Sequence, residues 1–234
     1  MQSEPSPFAG FADQLKLDRR AVRLRELAYQ AIKQAILSGA IDSSAPLIEE
    51  RLGLMLQISR TPVREALAIL EHEGLIEALP YKGIFVKVVT VESFLKMYEA
   101  LETVEAALAR QAALRADAAD LAAMEHSLGR AERCVPHDIP GHLAACRMFQ
   151  RQLGACAHNP YLADFLVGIE ERADLYLIST WHTLPADKMR AAIHDRRVIL
   201  AAVQARDPEA AAQAAEAHAQ AARQRWRALF SSAL

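Results

Sequence analysis

Between residues 24 and 90 the spacing of apolar positions changes character twice. Leu24, Leu27, Ala28, Ala31, Ile32, Ala35 and Ile36 fall on one face of a 3.6-residue helix, which Gly39 ends. After Pro46, the residues Ile48, Leu52, Met55 and Leu56 share one face of a shorter helix over about 47–56. Val63, Leu67 and Leu70 then recur at i, i+4 and i+7, predicting a third helix that ends at Gly74. Ser59 is an N-cap residue type, and Pro62 fits a first turn because the amide it lacks has no helical partner there. From 75 to 88 the pattern is strand-like: two runs, 75–79 and 84–88, flank Pro80-Tyr81-Lys82-Gly83 and predict a β-hairpin with a four-residue loop. Three helices and a hairpin with a basic tip describe a winged helix-turn-helix.

Beyond residue 90 strand-like sequence disappears and alanine dominates. Thr90 caps a helix over 91–114 whose inner face carries Phe94, Met97, Tyr98, Leu101, Val104, Glu105 and Leu108. Further helices are predicted over 117–134, 138–158, 160–180, 185–205 and 207–231, the last opened by Asp207-Pro208-Glu209. The predicted fold class is therefore mainly α, with an N-terminal winged helix-turn-helix and a C-terminal all-α bundle. The expected divisions are a flexible arm over 1–22, a DNA-binding domain over 23–89 and a helical domain over 90–234.

The third helix carries the most telling chemistry. Arg60 and Arg64 stand one turn apart, so their guanidinium groups project from neighbouring positions near the N-terminus of a helix with an apolar back. Such a helix can enter a DNA major groove, where Arg pairs with guanine or clamps phosphate. On these two residues alone, an ordinary amphipathic helix with a charged outer face explains the pattern as well. The order of elements around them is what favours double-stranded DNA as partner, with Thr61 supporting through phosphate and Tyr81, Lys82 and Gly83 at the hairpin tip.

Composition narrows the class. The chain has 234 residues, 52% hydrophobic and 24% charged, with net charge −2, so it is not a polycation. Residues 1–90 hold 11 Lys+Arg against 11 Asp+Glu, which leaves DNA binding to local clusters. One is Lys16, Arg19, Arg20, Arg23 and Arg25, equally readable as a solvated linker; the others are Arg60 with Arg64, and Lys82 with Lys87. The three cysteines, Cys134, Cys146 and Cys156, form no CxxC pair and fit a reducing cytoplasm. No signal-peptide pattern and no membrane-length apolar run is present, so a cytoplasmic protein is expected.

Residues 24–88 resemble the N-terminal domain of GntR-type bacterial transcription regulators. The resemblance rests on Ala35-Ile36-Leu37-Ser38-Gly39, on Ser59-Arg60-Thr61-Pro62-Val63-Arg64-Glu65-Ala66-Leu67, on Leu70-Glu71 with Glu73-Gly74-Leu75, and on Lys82-Gly83 with Phe85-Val86. Two departures stand out: Gln57 occupies the helix-turn-helix turn where the family usually has Gly, and Asp42-Ser43-Ser44-Ala45 replaces the usual Pro-Gly. The second half resembles the FadR-like C-terminal (FCD) domain through Tyr98-Glu99, the run from Val104 to Arg110, Ala157-His158-Asn159-Pro160-Tyr161-Leu162 and the run from Arg197 to Asp207.

The resemblance implies a divalent metal held by Asp-x-x-x-His, a second His and a third His. The corresponding positions here are Cys146, Gln150, Arg196 and His218, so one of four ligands survives. A guanidinium has no lone pair and repels a cation, so no metal cofactor is expected. A shifted site from His142, Cys146 and His218 is the alternative, while His194 points to the opposite side of its helix from Arg196. A buried Arg196 must be paired, either with Glu105, which the family keeps, or with the carboxylate of a small ligand. The Arg that the family often places at Leu101 is also missing, which makes the pocket more apolar. The expected effector-binding set is Glu105, Cys146, Gln150, Arg172, Arg196 and His218, with Tyr176, Trp181 and His182 as further candidates.

These features imply a homodimeric regulator that binds an operator and senses a small metabolite, an organic acid by the Arg196 argument. Two other readings compete: an all-α enzyme fused to a winged helix, and an architectural DNA binder without a ligand. Against the first, the sequence holds no nucleophile elbow, phosphate loop or paired acid/base set, and its nine glycines form no motif.

Overall fold

The first helix, α1 (Arg19–Leu37), begins five residues before its apolar face. Its first turns lie where a flexible arm was expected; residues 1–18, including Lys16, fall outside the described residues. The computed structural model describes residues 19–180 and 184–232, in two compact units that meet at Lys87/Val88. The N-terminal unit continues with α2 (Glu49–Leu56), α3 (Arg60–His72), β1 (Ile76–Leu79) and β2 (Gly83–Val86). The second unit contains α4 (Val91–Arg115), α5 (Ala118–Cys134), α6 (Ile139–Cys156), α7 (Pro160–Thr180), α8 (Ala186–Gln204) and α9 (Pro208–Ser232).

Ala28, Ile32 and Ile36 of α1 bury against the unit core with Val63, Ala66, Leu67 and Leu70 of α3 and Leu75, Ile76 and Val86 of the hairpin. Leu27 is an exception at 56% exposed. Ile48 and Met55 are also largely exposed, and they line an open apolar groove of about 380 Å³ between α1, the loop after it and α2. The four apolar residues do share a face, but it is only partly covered: Leu52 is buried and Leu56 half-buried. Lys33 of α1 bridges Glu73 at the end of α3 at 3.0 Å, and the Tyr29 hydroxyl donates to the same carboxylate at 2.6 Å.

The helix-turn-helix turn runs through Gln57, which adopts φ 57° and ψ 40°. The left-handed conformation that glycine normally supplies is therefore kept by a residue with a Cβ, at a cost of about 1 kcal/mol. The turn folds back so closely that a Cβ on Gly53 would stand 3.0 Å from the Ile58 carbonyl oxygen. Ser59 is the N-cap of α3 as expected, yet its side chain makes no capping hydrogen bond.

The hairpin pairs Ile76 with Val86 through to Leu79 with Gly83. Its loop is thus three residues, not four, because Gly83 already belongs to β2. The Lys82 amide donates to the Leu79 carbonyl at 3.1 Å, and Pro80 and Tyr81 form the corner. Tyr81 takes φ 63° and Gly83 φ 109°, so the left-handed strain is shared between a tyrosine and a glycine.

In the second unit α4 is central and packs against α6, α7, α8 and α9. Leu101, Val104 and Leu108 of α4 bury with Ala157, Leu166 and Ile169. At one end Phe94 and Tyr98 of α4 gather Tyr176, Trp226 and Phe230 into an aromatic cluster, tied by the Trp226 indole donating to the Tyr98 hydroxyl at 2.9 Å. Thr90 caps α4 as its sequence signal predicts, accepting from the Ser93 amide, and at the start of α5 Asp117 and Asp120 form a reciprocal capping box.

Candidate functional site

Two surfaces emerge, one in each unit. In the first, α3 turns Val63, Ala66, Leu67 and Leu70 inward, which leaves Arg60, Thr61 and Arg64 exposed along the opposite face. Both arginine side chains are more than three-fifths exposed. They are not idle: Arg64 donates from Nε and Nη2 to the two carboxylate oxygens of Glu49, each at 2.8 Å, and Arg60 Nη2 stands 3.5 Å from the same carboxylate. The Arg64 hydrogen bond, with the weaker charge of Arg60, holds Glu49 below the usual carboxylate range. Glu49 is the first residue of α2, where the helix dipole also favours an anion. At the hairpin tip Tyr81, Lys82 and Gly83 are all exposed, Tyr81 fully.

In the second unit a cavity of about 60 Å³ lies among α4, α6, α8 and α9. Its polar wall is formed by Lys188, Arg196 and Arg225, with His142, Cys146 and His218 beside them; Tyr98, Trp226 and aliphatic residues complete it. Arg225 is neutralised by Asp195 at 2.7 Å, and Asp195 also meets His218 Nδ1 at 3.4 Å. Arg196 donates from Nη1 to its own helix, at the Ala192 carbonyl, while its buried Nε has no partner among the described residues.

The protonation states follow from burial. Burial pushes His218 down to about 4, with the charge of Arg196 adding to it against Asp195, so the ring is neutral at pH 7. Burial likewise lowers His142 and raises the Cys146 thiol. Glu105 does not line the cavity; burial pushes it up to about 7, with the positive charge of Arg196 partly opposing. Glu105 Oε2 and both amide atoms of Gln150 are buried and have no hydrogen-bond partner among the described residues. Arg196 and Glu105 therefore feel each other's charge without closing an ion pair, so of the two pairings considered for Arg196 the bridge to Glu105 is not formed.

Cys146, Arg196 and His218 thus meet on one cavity wall, while Glu105 and Gln150 do not line it. Arg172 is exposed on α7 and is not part of the wall. Trp181 and His182 lie outside the described residues, and Tyr176 belongs to the aromatic cluster. His194 is exposed, as its offset from Arg196 predicts. Lys188 and Arg225 were missed, although the signal was present: Lys188, Ala192 and Arg196 recur at four-residue steps on α8, and His218, Ala222 and Arg225 share a face of α9.

The donor set does not suit a divalent cation. Among the described residues no three His, Cys, Asp or Glu side chains come together as a metal site. Three cationic side chains share the cavity, and Gln150 and Arg196 occupy two positions where imidazoles would be needed.

Comparison with known proteins decides the family. The family described as bacterial regulatory proteins, gntR family, matches residues 24–86, and the FCD domain matches residues 96–221. This chain belongs to the GntR family and carries an FCD domain. It is a DNA-binding transcriptional regulator and not an enzyme.

Among related GntR-family proteins, an HTH-type transcriptional regulator in the TAR-I ttuE-ttuC' intergenic region of Agrobacterium vitis is 34% identical over 137 residues, 56% of this chain and 78% of that protein. The Uxu operon regulator of Haemophilus influenzae is 28% identical over 224 residues, 86% of this chain and 80% of that protein. In fold, the chain resembles Escherichia coli McbR/YncC with a TM-score of 0.73 at 19% identity, over 88% of this chain and 98% of that one. A GntR regulator from Rhodococcus sp. RHA1 superposes with a TM-score of 0.71 at 23% identity, over 89% and 98%. No helix among the described residues is long and apolar enough to cross a membrane.

Proposed function

We propose that this GntR-family regulator binds an operator as a homodimer and that a small organic anion in the α8–α9 cavity modulates that binding. Arg60, Thr61 and Arg64 enter the major groove; Tyr81, Lys82 and Gly83 meet the minor groove or flanking phosphates. The observation that carries the ligand reading is the cavity beside Arg196, whose buried Nε lacks a partner among the described residues while Lys188 stands on the same wall. An unpaired buried guanidinium donor is costly, and a carboxylate in bidentate contact would satisfy it. About 60 Å³ suits a compact anion of a few heavy atoms. The ligand binds without a divalent metal, because the wall already supplies the positive charge.

The dimer reading draws on exposed apolar side chains of the helical unit, Tyr161 at 86% and Phe165 at 54% on α7 and Met148 at 44% on α6. A single recognition helix also reads too few base pairs for a useful specificity ratio. Light scattering of the free protein and of its DNA complex should give a dimer; monomer in both would contradict it. As a DNA-binding regulator it acts where the chromosome is, in the cytoplasm.

The test of the sensor is Arg196→Met. Thermal-shift screening of small organic acids against the purified protein, with and without added divalent metals, identifies stabilising ligands. The variant should bind DNA like the wild type and lose the response to the acid. Equal response in both proteins, or stoichiometric metal in elemental analysis of untagged protein, would defeat the reading; the latter would favour a site at His142, Cys146 and His218.

A further inference from the structure

Glu49 is an acid on a surface that must meet phosphate. It lies at the start of α2 and its side chain is four-fifths buried, while the two arginines it engages are largely exposed. The pairing is side-on: Arg64 spends Nε–H and one Nη2–H on the two carboxylate oxygens, both at 2.8 Å. A guanidinium carries five N–H donors in a rigid plane. Three remain, and two of them, one on Nη1 and one on Nη2, form the end-on fork at the tip of the side chain. That fork matches the O6 and N7 acceptors of guanine. Arg64 can therefore present its tip to a base edge without releasing Glu49. The same carboxylate draws Arg60, at 3.5 Å, toward the same anchor.

From this geometry we propose that Glu49 is a positioning residue that sets DNA-sequence discrimination. It braces Arg64, and more loosely Arg60, so that the end-on fork and not a freely turning guanidinium meets the DNA. Its own negative charge opposes indiscriminate phosphate binding. The consequence is a trade: general affinity for the duplex is given up, and the difference between right and wrong sequence grows. The carboxylate is suited to the task because it stays ionised, being paired with two arginines and seated at a helix N-terminus. The inference rests on the assignment of Arg60 and Arg64 as DNA contacts.

The experiment uses the full-length chain. A DNA site is selected from a random-sequence duplex library by the wild-type protein, and affinities for that site and for a shuffled duplex are measured by fluorescence anisotropy over a range of salt concentrations. Wild type is compared with Glu49→Gln, Glu49→Asp and Arg64→Ala. Glu49→Gln should bind the shuffled duplex more tightly and reduce the ratio of selected to shuffled affinity by roughly tenfold, the scale of one bidentate base contact. Its salt slope on the shuffled duplex should steepen by about one, as a freed arginine takes a phosphate. Glu49→Asp keeps the charge but is too short to grip side-on; it should lose discrimination with little change in shuffled affinity. Thermal unfolding of each variant checks the fold, and a merely structural role would weaken both duplexes together and leave the ratio unmoved. If Arg64→Ala collapses the ratio while both Glu49 variants keep the wild-type value, the inference about Glu49 is wrong and the DNA contacts stand. If Arg64→Ala itself keeps the wild-type ratio, the assignment of Arg64 falls, and the inference with it.

Discussion

At the residue scale, single side chains carry costs and roles that the backbone makes visible. Gln57 pays for a left-handed turn that glycine would adopt freely. Gln57→Gly should therefore stabilise the protein, by up to about 1 kcal/mol after allowing for the greater freedom of glycine in the unfolded chain. Urea unfolding measures this, and a loss of stability would show that the glutamine side chain makes a compensating contact. Arg64 is exposed and, among the described residues, pairs with Glu49 alone, so its removal leaves the core intact. Arg64→Ala should cost roughly 1–3 kcal/mol of affinity for a selected DNA site, with an unchanged melting temperature. Wild-type affinity in a gel shift would remove it from the interface.

At the scale of elements, the hairpin shows what an apolar alternation specifies and what it leaves open. The strand pattern located β1 and β2, but loop length depended on which residue took positive φ. Tyr81 and Gly83 both do so, and Gly83 still pairs with Leu79 as the first residue of β2, which leaves a loop of three residues. Lys82 is thereby held at the exposed tip, its amide anchored on the Leu79 carbonyl. Lys82→Ala should weaken binding to all duplexes alike and reduce the salt slope by about one. An anisotropy titration against salt with the wild-type slope would exclude a phosphate contact. Helix α2 makes a similar point: Ile48, Leu52, Met55 and Leu56 do share a face, yet that face borders an open groove, so only Leu52 is fully covered.

At the scale of the whole molecule, buried titratable groups should govern stability with pH. Glu105, Glu170 and Asp174 are pushed by burial to about 7, 8 and 6, above ordinary values of 4.5, 4.5 and 3.8. The folded state thus holds protons that the unfolded chain releases. The stability these groups contribute is fully present below about pH 4 and is lost as pH rises through 6 to 8. His218 acts in the opposite sense: lowered from 6.5 to about 4, it contributes stability above pH 6.5 that is lost as pH falls toward 4. The melting temperature should therefore decline between pH 6.5 and pH 8, and the Glu105→Gln/Glu170→Gln variant should decline less. Calorimetry at both pH values checks this; parallel profiles for variant and wild type would contradict it.

How much was legible in the sequence follows from the range of each interaction. Helix periods, caps and turn residues act within a few positions, and on them rested the order of α1 to α9 and the hairpin, together with the exposed placement of Arg60 and Arg64 opposite an apolar stripe. That Arg196 and Gln150 stand where the family places imidazoles was likewise legible, because residue type alone tells that a guanidinium has no lone pair to give and repels a cation. The tertiary structure decided what joins residues far apart in the chain. It brought Lys188 and Arg225 to Arg196, kept Glu105 out of that cavity's lining and out of an ion pair with Arg196, and laid Glu49 of one helix against the arginines of the next. Such meetings depend on how helices pack and rotate against one another, and no local period encodes which polar residue on one face will find which on another.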